Sequence, residues 1–272
     1  MSSQKSVRDA AATILSWEDV PQIDIIVNSA GVMGVPNREL TKDGIEMHFA
    51  TNHIGHWLLS SLLMPKLMEA SKNATKGATR IINVSSGSPI FSTPRWSDTN
   101  FDTLNKDLPE DEKPLVSVFQ AWGYQDVENK SYIPLDGYNR SKVAQLLSSI
   151  AFTKRLFGKF GILSITVHPG VVQTELGRDF PPEVLEAVAK QREKGMWLFK
   201  SQGAGAATSL VAALDPNLAI GVGETKGETQ NWGMYLSDCQ IFDRATPQAS
   251  SSENAERMWE LSEKLVGQSF AW

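Results

Sequence analysis

A chain of 272 residues suffices for one domain of ordinary size. With 41% hydrophobic and 21% charged residues and a net charge of -5, it lacks the basic field of a nucleic-acid binder, so a small molecule is the expected partner. A lone Cys239 excludes an internal disulfide and thiolate metal clusters; the N-terminus has no signal-type apolar stretch and no run is long enough to span a membrane, so a cytoplasmic location is expected.

The first β-rich run is Asp24–Asn28 (DIIVN), bounded by turn residues. Ile54, Leu58, Leu59, Leu62 and Leu63 then recur at helical spacing, predicting a helix over 53–68. Arg80–Val84 (RIINV) reads as the second strand. Residues 87–137 are irregular, carry the charge run KDLPEDEK and gather Trp96, Phe101, Phe119, Trp122, Tyr124 and Tyr132. Charge runs suit a solvated insertion, whereas concentrated aromatics suit a substrate-side cover. Val143, Leu146, Leu147, Ile150 and Phe157 restore the helical period from Tyr138 onward, and Ile162–Val167 (ILSITV) forms the third strand. Pro181 and Pro182 precede a further helical run, and Tyr235 and Leu236 suit a short last strand. Alternating strands and helices imply an α/β fold, a doubly wound parallel sheet in a single domain spanning 1–272.

Tyr138 and Lys142, four apart in GYNRSKVAQ, share one helical face. A neighbouring ammonium would stabilise phenolate and bring a group with a reference pKa near 10 toward neutral-pH acid–base work. The spacing alone also fits an exposed helical pair. Ser86, just beyond RIINV, would stand at the carboxyl edge of a parallel sheet, where such sheets place ligands; a turn or capping serine is the alternative, a part Ser85 or Ser88 could equally take. Asn52 opens TNHIGHWLL, either as a helix-interior hydrogen bonder that holds water or as a polar residue near a helix start. In VHPGVVQTEL, Pro169 and Gly170 turn the chain and Thr174 offers a hydroxyl. His48, His53 and His56 cluster without an H-E-x-x-H motif, and no G-x-S-x-G elbow occurs; neither a metal site nor a serine hydrolase is expected.

VNSAG, TNHIGH, NVSS, YNRSK and PGVVQT together resemble the short-chain dehydrogenase/reductase family, in that family's order, and GIEMHFATNHIGHWLL and RMWELSEKLVG are most similar to its retinol-dehydrogenase-like members and their fungal relatives. The resemblance implies a Rossmann-like fold and an NAD- or NADP-dependent oxidoreductase that interconverts a secondary alcohol and a ketone or aldehyde on a small lipophilic or specialised metabolite. Tyr138 would be the proton donor or acceptor, Lys142 would lower its pKa and bind the nicotinamide ribose, Ser86 would orient the substrate oxygen, and Asn52 would hold a relay water. Asn28, Ser29, Ala30 and Gly31 would line the cofactor, with Pro169, Gly170, Val172 and Thr174 toward its nicotinamide end. It also implies helices at 53–68 and 138–157 that could pair two copies, although apolar faces serve a single core equally well.

The family begins with a strand and a glycine-rich phosphate loop, yet VNSAG already stands at residues 27–31. An N-terminal unit of roughly 60 residues is therefore expected to be missing, leaving Asp24–Asn28 on an exposed sheet edge. Gly221, Gly223 and Gly227 have the wrong spacing to replace the loop and read as a turn. The alternative function is accordingly a catalytically compromised remnant that acts as a binding protein.

Overall fold

Strands form where aliphatic residues run unbroken between turns, as a sheet covered on both faces requires. In the computed structural model, which describes residues 1–195, 198–223 and 235–272, they are β1 (Ile25–Asn28), β2 (Arg80–Val84), β3 (Leu163–His168), β4 (Val171–Val172), β5 (Phe199–Lys200), β6 (Tyr235–Ser237) and β7 (Gln240–Ile241). The helices are α1 (Gln4–Leu15), α2 (Gly55–Leu62), α3 (Met64–Ser71), α4 (Val116–Ala121), α5 (Pro134–Phe160), α6 (Pro182–Glu193), α7 (Gln202–Leu214), α8 (Pro247–Ser250) and α9 (Ser252–Val266). The main sheet runs β1-β2-β3-β6-β7. Its first four strands are parallel, and β7 returns antiparallel to β6. β4 and β5 form a separate parallel pair.

Alternation along β2 shows how the sheet is covered. Arg80 points to one face, where its buried guanidinium donates to the carbonyls of Gly77, Ala212 and Asp215 at 2.6–2.7 Å, so α7 lies there. Asn83 points to the other, where its amide donates to Ser149 Oγ of α5 at 2.8 Å. Helices on both faces of a parallel sheet give the doubly wound α/β architecture that the alternation of elements predicts. β1 is the outer strand, with Val27 50% exposed.

Two helical boundaries differ from expectation. The run over 53–68 is two helices rather than one, because Pro65 cannot continue α2 and instead starts α3. The long helix begins one turn before Tyr138, at Pro134, a residue suited to the first helical position. It ends at Gly161, whose φ of 69° is the left-handed cap glycine allows. From Leu135 to Thr153 every residue of α5 is buried, and most of α2 is too. Both helices thus contribute to the chain's own core. The α9 side of that core is aromatic: Trp259 meets Trp57 and Phe152 edge-on, each at 5.0 Å between centroids.

His53 is sealed into the same core, with Nε2 2.9 Å from Ser262 Oγ. Burial, then His56, depresses its pKa to about 3, and burial depresses that of His56 to about 4. Below the ordinary histidine pKa of about 6.5 the unfolded chain takes up protons that the native chain refuses, so stability falls as pH drops from about 6.5 toward 4. Urea midpoints measured across that window should slope less steeply for His53→Gln than for the parent; equal slopes would remove His53 as a source of the acid sensitivity.

Residues 87–137 are packed in part, with most of the charge run exposed. Arg95, Asn105 and Glu112 are buried, and Glu112 of the charge run accepts from the Ser97 backbone and hydroxyl. Phe119, Tyr124, Val127, Ile133 and Leu135 form a second apolar cluster that includes Tyr138, Phe180 and Val184. Apolar packing and an exposed charge run thus occur in the same segment. Gly221 and Gly223 lie in turns, while Gly227 is outside the described residues.

Candidate active site

The carboxyl ends of β1, β2 and β3 deliver the loops at Asn28–Gly31, Ser85–Gly87 and His168–Gly170, and α5 brings Tyr138 and Lys142 against them. The Ser86 hydroxyl neighbours the Tyr138 phenol and acts to lower its pKa. Ser86 Oγ also lies 2.5 Å from Ser88 Oγ and accepts the Ser88 N–H at 3.0 Å. Ser88 Oγ donates its single proton to Asn139 Oδ1 at 2.8 Å. Ser86 therefore donates to Ser88. Of the three neighbouring serines, Ser85 is structural, its hydroxyl donating to the Lys142 carbonyl at 2.9 Å.

Lys142 Nζ lies 5.5 Å from the centre of the Tyr138 ring. It donates to the Val84 carbonyl at 2.8 Å and to Gln145 Oε1 at 3.1 Å. The expected acidification of Tyr138 by Lys142 is not what these residues produce among themselves. Burial pushes the phenol up to about 12, opposed by the neighbouring Ser86 hydroxyl, and burial pushes the Lys142 ammonium down to about 7. Desolvation disfavours both charged forms and outweighs their attraction.

Asn52 does not open the helix. It sits within a π-helical stretch, Phe49–Ile54, that leads into α2. Its amide donates to the Val32 carbonyl at 3.0 Å and to Ser141 Oγ at 2.9 Å, while Oδ1 accepts the Val32 N–H at 2.9 Å. One amide proton thus clamps the loop after Gly31 and the other ties the π-helical stretch to α5. A side chain at Gly31 would put its Cβ 3.1 Å from Asn52 Oδ1 and 3.9 Å from Lys142 Nζ.

The other expected residues divide. Ser29 and Ala30 are exposed at the end of β1, but the Asn28 amide turns inward, to Ser60 Oγ at 3.0 Å and Asn83 Oδ1 at 2.9 Å. Pro169 and Gly170 follow His168, whose ring lies beside Gly87. Gly170 has a φ of 84°, and the Lys200 side chain passes 2.7 Å from where its Cβ would be, so only glycine fits. Val172 packs on Gly205 of α7, and the exposed Thr174 caps the next turn by accepting the Leu176 N–H. None of the contacts of Val172 and Thr174 described here reaches Tyr138 or Lys142. Each histidine of the 48–56 cluster has its own partner: Glu46 Oε1 at 2.7 Å for His48, Ser262 for His53 and the Asn52 carbonyl for His56.

One participant carries no local signal in the sequence. The Tyr235 hydroxyl, buried on β6, donates to the Ser86 carbonyl at 2.5 Å across 149 residues of chain. Burial pushes its own pKa up, and the nearby Tyr138 adds to that. A strand aromatic beside β3 was expected, a pin on Ser86 was not.

The chain is similar to known proteins over most of its length. The family profile described as short chain dehydrogenase matches residues 1–97. The chain is 35% identical over 272 residues to short-chain dehydrogenase TIC 32 B, chloroplastic, of Brassica napus, covering 98% of this chain and 70% of that one. It is 31% identical to retinol dehydrogenase 14 of Homo sapiens over 268 residues, covering 98% and 65%. It is 35% identical to uncharacterized oxidoreductase C736.13 of Schizosaccharomyces pombe over 215 residues, covering 79% and 55%. The chain thus spans 55% and 65% of the length of the last two relatives. Among solved structures, an uncharacterized protein from Mycobacterium Paratuberculosis shares the fold with a TM-score of 0.59 at 23% identity, over all of this chain and 75% of that one.

Proposed function

The chain belongs to the short-chain dehydrogenase family, and from that premise we propose that it is a nicotinamide-dependent oxidoreductase interconverting a secondary alcohol and a ketone or aldehyde on a small lipophilic metabolite. The observation that carries the proposal is Ser86 beside Tyr138 at the carboxyl ends of parallel strands, with Lys142 one turn along the same helix. Ser86, its hydroxyl turning from Ser88, would donate to the substrate oxygen and hold it beside the phenol. Tyr138 would pass a proton to a carbonyl oxygen in reduction and take one from an alcohol in oxidation. Because burial alone makes the phenol a weak acid, the reaction needs a positive charge at its side, which Lys142 supplies when protonated.

NAD or NADP, when bound, would supply the hydride acceptor or donor. The residues fit its ribose end. Lys142 commits two of its three N–H groups, to Val84 and Gln145, leaving one for a sugar hydroxyl. Gly31 keeps the adjoining loop free of a side chain at that point. Met33, Trp122, Phe180 and Val184 pack around Tyr138, an apolar surround suited to a lipophilic substrate.

A second reading, a non-catalytic binding protein, is favoured by the position of β1 at the sheet edge with Val27 half exposed. Titrating the purified 272-residue chain with NADH and NADPH, followed by fluorescence, separates the two. Micromolar binding of one of them is expected and would eliminate the second reading. Oxidation of the bound cofactor by apolar ketones or aldehydes should follow; binding with no turnover on any carbonyl would defeat the oxidoreductase reading.

A further inference from the structure

Gln145 lies three residues beyond Lys142 on α5 and is 2% exposed. Its Oε1 accepts from Lys142 Nζ at 3.1 Å, and its Nε2 donates to the Asn52 carbonyl at 2.7 Å. The amide therefore spans the gap between the ammonium and the π-helical stretch. One end of such a bridge must accept and the other must donate, a pairing an uncharged amide supplies and a hydroxyl of this reach does not. We infer that Gln145 is a positioning residue, bracing the Lys142 ammonium against the Asn52 carbonyl so that it is held at a fixed distance from Tyr138. This rests on the reading of Tyr138 and Lys142 as the acid–base pair. An amide gains and loses no proton in this range, so protons reach and leave Lys142 on its Tyr138 side rather than through Gln145.

The groups that face Lys142 are few. Tyr138 lies on its own helix, Val84 presents a carbonyl from β2, and His56 of α2 is close enough for the ammonium to depress its pKa. Burial is the only cause acting on the Lys142 ammonium itself, with no charged neighbour contributing. Its protonation should then be sensitive to a single dipole or charge placed at residue 145.

The test follows the Lys142 side-chain signal against pH by NMR in a chain labelled with 13C-lysine. The signal is identified by its loss in Lys142→Arg. Kinetics on an apolar ketone run in parallel. Gln145→Met preserves length but neither accepts nor donates. It should lower the Lys142 titration midpoint by about half a unit or more, because a buried ammonium deprived of an acceptor is less stable. It should also lower kcat about tenfold to a hundredfold, with KM changed by less than about threefold, since the substrate is not touched. Gln145→Glu puts a carboxylate at the same bond and should raise the midpoint by about a unit or more. Midpoints that match the parent in the folded variants overturn the inference, and should the Met variant not fold, the Glu variant decides alone. The signal needs no turnover. Shifted midpoints in a chain inactive on every carbonyl would defeat the oxidoreductase reading and leave the brace standing, whereas turnover with unshifted midpoints would defeat only the brace.

Discussion

Tyr138→Phe should lower turnover by about 10²- to 10⁴-fold, the range spanned by removal of a positioned acid–base group, while leaving the melting temperature within a few degrees of the parent. The phenol is buried and its hydroxyl lies beside Ser86. Replacing it by phenylalanine removes a polar group from an apolar surround and deletes no packing atom except the oxygen. Ser86 retains Ser88 as a partner on either side of its oxygen, so no buried group is orphaned. A structural tyrosine and a chemical one thus predict different results. If the variant keeps parental turnover, Tyr138 is not the proton carrier. If it unfolds, the phenol is a structural necessity and the change in rate says nothing about chemistry. Micromolar cofactor binding retained by the variant would place the loss on the chemical step.

The largest loss of stability is expected at Arg140, two residues from Lys142 and 4% exposed. Its Nε donates to Asp136 Oδ1 at 2.9 Å, and its terminal nitrogens reach the carbonyls of Thr93, Pro94 and Glu112 at 2.6–3.3 Å. This one guanidinium ties α5 to both ends of the 93–112 stretch. In Arg140→Ala, Asp136 would keep only the Arg95 guanidinium 3.9 Å away, and three carbonyls would lose a donor. Breaking a buried pair in this way costs about 3–5 kcal/mol. For a chain of this size that corresponds to a fall in melting temperature of roughly 10 °C. Arg140→Lys should recover little of it, because a single ammonium cannot match the planar fork. Limited proteolysis should cut the Ala variant first within 87–137. A loss under about 1 kcal/mol would mean that residues 87–137 are held by their apolar cluster alone.

The features readable in the sequence are those written locally. RIINV and ILSITV declare covered parallel strands because nothing in them alternates, and the helices between them force crossovers. Ser86 could be singled out because it follows such a strand directly, and the sheet's carboxyl edge is where it lies. What escaped depends on distant chain. Tyr235 pins Ser86 from 149 residues away, and a tyrosine in a short strand is otherwise unremarkable. KDLPEDEK reads as solvated, yet Glu112 is buried because Ser97 supplies two donors to its carboxylate. The direction of the Tyr138 shift runs against its spacing from Lys142 for the same reason. That spacing speaks of proximity, but burial, contributed by residues 87–137 and by the sheet, outweighs it. Helix ends followed proline rather than periodicity, as at Pro65 and Pro134.

The π-helical stretch ahead of α2 has a bearing on which insertions and deletions the molecule would accept. Gly55 N–H bonds the Ala50 carbonyl, five residues back rather than four, so the coil there holds one residue more than an α-helix would. Deleting one position there would let the coil close into an ordinary α-helix, with Glu46 and His48 keeping their side of the rod. The same deletion in the α-helical turns of α2 would swing everything upstream through about 100°. Single-residue losses should therefore be better tolerated within Phe49–Ile54 than in the turns that follow it.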